Sequence, residues 1–201
     1  MLTSVTAETI NNLVPDAGVV VANFDFSSAK DAASLMALLD AKVDTEDWIG
    51  ATDGGIQVRE NVSMWSPTHD YKRMPFVGDK HFETCDPTVS FTMVEFKAGN
   101  LRRACGAADV SGTTLVKVQP RAEIKKADYI PKLVVILMCG EAGLYIVEGD
   151  NALCTKGLDV SSADKAIAKI AAEFHMHKGS LAESLSGDLP IRYYFAPAAA
   201  E

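Results

Sequence analysis

Apolar and polar residues alternate along much of this chain with the two-residue period of strands. The clearest case is "TVSFTMVEF", 88–96, where Val89, Phe91 and Met93 fall on one side. A second is "GATDGGIQVRENVSMW", 50–65. It opens with a glycine-rich turn and then sets Ile56, Val58, Val62 and Met64 on one face, with Gln57, Arg59, Asn61 and Ser63 on the other. Glu60 interrupts the apolar face. Runs rich in β-branched residues predict further strands at "GVVVANFDF" (18–26), "TTLVKVQP" (113–120), "KLVVILMC" (132–139) and "GLYIVEG" (143–149), and "PIRYYFA" (190–196) reads as a closing aromatic strand. "SSAKDAASLMALLDAKV" (27–43) has helical spacing instead. Leu35, Leu38 and Leu39 form a stripe, Ser28 is placed to cap it, and Asp31 lies three residues later. "KAGNLRRACGAA" (97–108) predicts a short helical turn.

"AIAKIAAEFHMHKG", 166–179, fits either period. A helix would gather Ile167, Ile170, Ala171 and Phe174. A strand would turn Ile170, Ala172, Phe174 and Met176 inward and Lys169, Ala171, Glu173, His175 and His177 outward. Periodicity alone leaves the choice open.

"SPTHDYKRMPFVGDKHFETCDP", 66–87, has no clear period. Pro67, Pro75 and Pro87 argue against a central strand. Tyr71, Met74, Phe76, Val77 and Phe82 make it too apolar for a free linker. A loop of this length that is also apolar predicts a segment that orders on a partner. Residues 1–17 are polar and aperiodic and read as an N-terminal arm, leaving 18–201 as one domain.

Several short strands separated by turns predict a mostly β fold, a sandwich or barrel, with one flanking helix. No apolar run reaches the ~20 residues of a membrane-spanning helix, and the N-terminus has neither the basic nor the apolar region of a secretory signal. The four cysteines, Cys85, Cys105, Cys139 and Cys154, have no CxxC spacing and read as reduced thiols. A net charge of −8 argues against coating nucleic acid, but suits a surface that nucleic acid must pass without sticking.

Candidate chemistry is sparse. "HMH", 175–177, would put two imidazoles on one strand face with Glu173, a possible metal pair without an evident third ligand. "TDGG", 52–55, lacks the Lys-Ser/Thr of a phosphate loop and reads as a tight turn entering a strand. Arg102 and Arg103 suit phosphate, a solvated helix end or an acidic neighbouring subunit. No catalytic set is suggested, and no cofactor is expected.

Three segments carry a family resemblance: "GATDGGIQVRE" (50–60), "TVSFTMVEFKAGNLRRACG" (88–106), and "NALCTKGLDVSSADKAIAKIAAEFHMHKG" (151–179) followed by "LPIRYYFA". In order and spacing they resemble the major tail tube protein of long-tailed bacteriophages. The resemblance implies a strand for 164–177. It also implies six subunits per ring, stacked rings, a loop and terminal arms reaching the next ring, and a lumen that holds the tape measure protein and then passes DNA. Partners would be further copies, the tape measure protein and the tail terminator, and the location the virion. Six chains at −8 each carry 6 × −8 = −48 formal charges, consistent with an acidic channel. Asp25, Glu60 and Glu173 lie on or beside candidate strands and are the candidate lumen carboxylates. Tyr71, Met74, Phe76 and Phe82 are the candidate inter-ring contacts. A tube from a contractile injection or secretion system, or a cytoplasmic β-barrel holding a small ligand, are the rival readings.

Overall fold

The alternation at 88–93 and 169–175 is realised as two neighbouring antiparallel strands, β5 (Thr88–Met93) and β11 (Lys169–His175). Met93 lies opposite Ile170, Phe91 opposite Ala172, and Val89 opposite Phe174. All six are buried, and the Phe91 and Phe174 rings stack with centroids 5.5 Å apart. Residues 169–175 of the ambiguous segment are therefore a strand, whereas 164–168, which the resemblance also made strand, are a turn and irregular chain. Ile167, which a helix would have buried, is 69% exposed.

These features come from a computed structural model that describes residues 18–43, 45–68, 74–138, 143–184 and 187–197. Its fold is mostly β. The remaining strands of the main sheet are β1 (Val19–Ala22), β2 (Trp48–Arg59), β8 (Ile130–Met138), β9 (Gly143–Cys154), β10 (Asp159–Ser161) and β12 (Ile191–Pro197). Their order is β10-β11-β5-β2-β1-β8-β9-β12, and β9 also pairs with β11. That last pairing closes a six-stranded antiparallel barrel, with β10 and β12 as outside additions. Val20, Ala22, Val89, Phe91, Leu133, Val135, Val147, Ile170 and Phe174 fill the barrel.

A second core explains why β1 and β8 read as unbroken apolar runs. Val134 and Ile136 of β8 and Val21 of β1 point out of the barrel, where Leu35 and Leu39 of helix α1 (Ala32–Asp40) and Phe24 cover them. A strand buried on both faces has no polar side to show. The flanking helix is shorter than the sequence suggests, and Ser28 does not cap it. Asp31 does, accepting from the Ser34 amide at 2.8 Å, while the Ser34 hydroxyl accepts from the Asp31 amide. A second helix, α2 (Ala98–Ala104), packs Ala104 into the barrel core. Its buried Asn100 donates to the carbonyls of Ile49 (2.9 Å) and Glu95 (3.0 Å). The arm expected at 1–17 lies outside the described residues.

The 50–65 alternation is not one strand, and "TDGG" is not a turn before it. Residues 53–55 are an extrusion within β2, where the register shifts between Thr52 and Ile56. Gly54 and Gly55 have φ of +79° and +85°, which suits residues without a Cβ. β2 ends at Arg59, and Asn61 at φ +47° turns the chain away. β3 (Val62–Trp65) then pairs with β4 (His81–Cys85) in a separate two-stranded sheet. The loop expected at 66–87 is thus the tip and return strand of a hairpin. β6 (Ala108–Ser111) and β7 (Lys117–Pro120) form a second hairpin, followed by a 3-10 turn at Lys126–Asp128.

The two periods make opposite predictions for two isoleucines. Ile170→Ala should destabilise the fold by about 2–5 kcal/mol through the cavity it leaves, and Ile167→Ala by less than about 0.5 kcal/mol. Urea unfolding midpoints measure both; equal losses would restore the helical reading.

Candidate assembly surfaces

The β3–β4 hairpin stands outside both cores. Met64 and Trp65 of β3 and Phe82 of β4 are exposed, and so are Met74, Phe76 and Val77 of the connecting segment. Met74, Phe76 and Phe82, three of the candidate contacts, are therefore uncovered, with Met74 at 79% exposure. Tyr71 lies outside the described residues. The arm is anchored at its base, where Asn61 Nδ2 donates to the Asp86 carbonyl at 2.9 Å and the Cys85 thiol donates to the Glu60 carbonyl at 3.2 Å.

The sheet offers two further surfaces. β10 and β12 are its end strands, each with one hydrogen-bonding edge beyond the last pairing. The outward face of β2, β5 and β11 carries Gln57, Arg59, Ser90, Thr92, Lys169 and Glu173, and among the described residues no helix covers it as α1 covers β1 and β8. Glu173 stands here, accepting from the Ser90 hydroxyl at 3.3 Å and lying 3.3 Å from His175 Nε2. The face carries both signs of charge: Lys169 is paired with Asp53, and Lys156 with Asp159 at 2.8 Å.

The other two carboxylates have different surroundings. Glu60, beyond the end of β2, accepts from the Tyr193 hydroxyl of β12 at 3.0 Å. Burial and this bond both push the Tyr193 phenol well above its usual range. Asp25 is exposed in the turn after β1, where the Ser27 amide lowers its pKa.

The histidines are separated by the end of β11. His175 Nδ1 meets Asp86 at 2.8 Å, while His177 lies 3.1 Å from the Asn151 carbonyl with its ring edge on Tyr129. Among the described residues no group of three or more His, Cys, Asp or Glu could hold a metal ion. Arg102 and Arg103 are not a free helix end: they donate to the carbonyls of Ala127 (3.0 Å) and Glu46 (2.7 Å). Cys85, Cys105 and Cys154 are free thiols.

The sequence reading missed the cluster that holds β12. Glu148 on β9 is only 4% exposed. It meets Lys132 of β8 at 3.0 Å and accepts from the Tyr194 hydroxyl at 2.9 Å, while Arg192 forks onto Asp150 at 3.0 and 2.7 Å. The single Glu in "GLYIVEG" was the available signal, a carboxylate in an apolar strand. No known protein-family model matches this chain, and no curated protein matches it.

The Glu148 bond is the main cause that raises the Lys132 pKa. A raised lysine pKa adds stability that is complete below the unfolded value, near ~10.5, and fades as pH rises through the folded one. Glu148→Gln should therefore cost about 1–3 kcal/mol at pH 7. The gap to the parent should narrow as pH rises through the folded lysine value, as read by denaturant titration at several pH values from neutral upward. A gap that is constant across that range would show that the ion pair is not its source.

Proposed function

We propose that this chain is a structural tube subunit, the tail tube protein of a long-tailed bacteriophage. Six copies form a ring, rings stack, and DNA passes through the lumen. The observation that carries the reading is the β3–β4 arm. An arm that projects Trp65, Met74, Phe76 and Phe82 beyond the cores of its own chain is what a subunit needs to grip the next one. The order of the sequence segments that resemble the family points the same way, as do the two end strands, which await neighbours.

The barrel interior is filled with side chains, which weighs against the small-ligand reading. A channel must then be built between copies. The uncovered face of β2, β5 and β11 is the natural lumen face, and Glu173 is the candidate carboxylate placed on it. Net charge of −8 per copy disfavours adhesion of the phosphate backbone. Under this reading the other partners are the tape measure protein and the tail terminator, and the mature location is the virion.

Phe76→Ser with Phe82→Ser should change monomer stability by no more than about 0.5 kcal/mol, since both side chains are exposed. Sedimentation should nevertheless show the assembled fraction lost. Unchanged assembly in the double variant would remove the arm from the stacking contact.

A further inference from the structure

Charge is unevenly distributed along this chain. Residues 97–132 hold eight Lys and Arg against three Asp and Glu, a balance of +5. The total of −8 then leaves −13 on all other residues. Lys132 lies on β8 and pairs with Glu148, and Lys97 pairs with Glu95 at 2.7 Å; the other basic residues sit on one structural unit, made of α2, the β6–β7 hairpin and the 3-10 turn. The Arg121 amide donates to Ala107, and Arg102 to Ala127. Arg121 pairs with Asp109 (2.9 Å) and Asp128 (2.6 Å), so two of the three acids are already neutralised. Lys117, Lys125 and Lys126 remain exposed. At the hairpin's turn Leu115 is 86% exposed and Val116 46%. The hairpin is therefore an apolar tip with cations behind it.

A surface of the opposite kind lies elsewhere on the chain. Between β4 and residues 176–184 and 187–190 runs an open groove of about 860 Å³. Cys85, Met176, Leu189 and Pro190 give it apolar walls, and its charged lining is three acids, Glu83, Asp86 and Asp188, against one base, Lys178. No residue of 97–132 lines it, so the hairpin does not fill the groove of its own chain.

We infer that the β6–β7 hairpin of one copy docks in this groove of a second copy. Leu115 and Val116 enter the apolar walls, and Lys117, Lys125 and Lys126 approach Glu83 and Asp188. Charge selects this arrangement. Hairpin against hairpin would press two net-positive segments together, whereas hairpin against groove joins opposite signs. The contact uses different patches on the two copies, so it is heterologous and repeats into a ring or filament. The choice of a second copy as occupant rests on the tube reading.

The test is a charge exchange. A hairpin variant, Lys117→Glu with Lys125→Glu and Lys126→Glu, and a groove variant, Glu83→Lys with Asp188→Lys, are purified separately and checked for a native circular dichroism spectrum. Each alone should need at least about tenfold more protein to assemble than the parent, a shift of ~1.4 kcal/mol. Mixed in equal amounts they should assemble again, because each hairpin then meets a groove of opposite sign. Assembly of the hairpin variant at the parent concentration would overturn the docking and leave the tube reading standing. Loss of assembly without recovery on mixing would overturn the groove as the acceptor. Recovery that yields only small closed oligomers would sustain the docking and overturn the tube reading.

Discussion

The fold depends on one strand serving two partners along the same edge. β9 gives residues 143–149 to β12 and residues 153–154 to β11. The exchange happens at Asp150 and Asn151. The Asp150 amide donates to Pro190, and its carbonyl accepts from His177. Asn151 adopts φ +45°, and its side chain donates to the His177 carbonyl at 3.1 Å. Asparagine tolerates this left-handed conformation better than other residues that carry a Cβ. Without the switch β11 would keep β5 and β10 but lose β9, and the sheet would stay open beside Phe174. Closure hides those strand edges and, among the described strands of the main sheet, leaves the additions β10 and β12 with an outward edge.

Closure also decides where function can reside. Side chains fill the interior of the six-stranded barrel. One side of the outer surface is taken by α1. What remains among the described residues are the face of β2, β5 and β11, the end strands, and two hairpins with exposed apolar residues. Under the tube proposal each is a surface for association. The charge split between residues 97–132 and the rest supplies direction to that association, which apolar contact alone lacks.

Local pattern was legible in the sequence wherever one face is buried and the other is wet. β5 alternates cleanly for that reason, β11 alternates too but its alanines also fit a helical stripe, and β8 reads as continuous because α1 covers its second face. The misreadings have specific causes. A left-handed Asn61 divided what looked like one strand, and the asparagine alone does not announce that conformation. The α1 boundary moved because Asp31 and Ser34 satisfy each other, a reciprocal cap that outcompetes Ser28. β4 was hidden by an aperiodic, proline-bearing segment whose strand has no buried face to impose alternation. Barrel closure, the Glu148 cluster and the groove join residues distant in sequence, so no window of the chain contains their signal. Of the candidate lumen carboxylates, Glu173 alone sits mid-strand on an uncovered face, as its place in the β11 alternation implied.

Under the tube proposal this barrel polymerises through surfaces that its described residues leave uncovered. Negative-stain electron microscopy of the purified protein at high concentration tests it most directly. The account predicts six-fold rings that stack into tubes of uniform diameter with a central stain-filled lumen. A field of compact single particles at every concentration would contradict it.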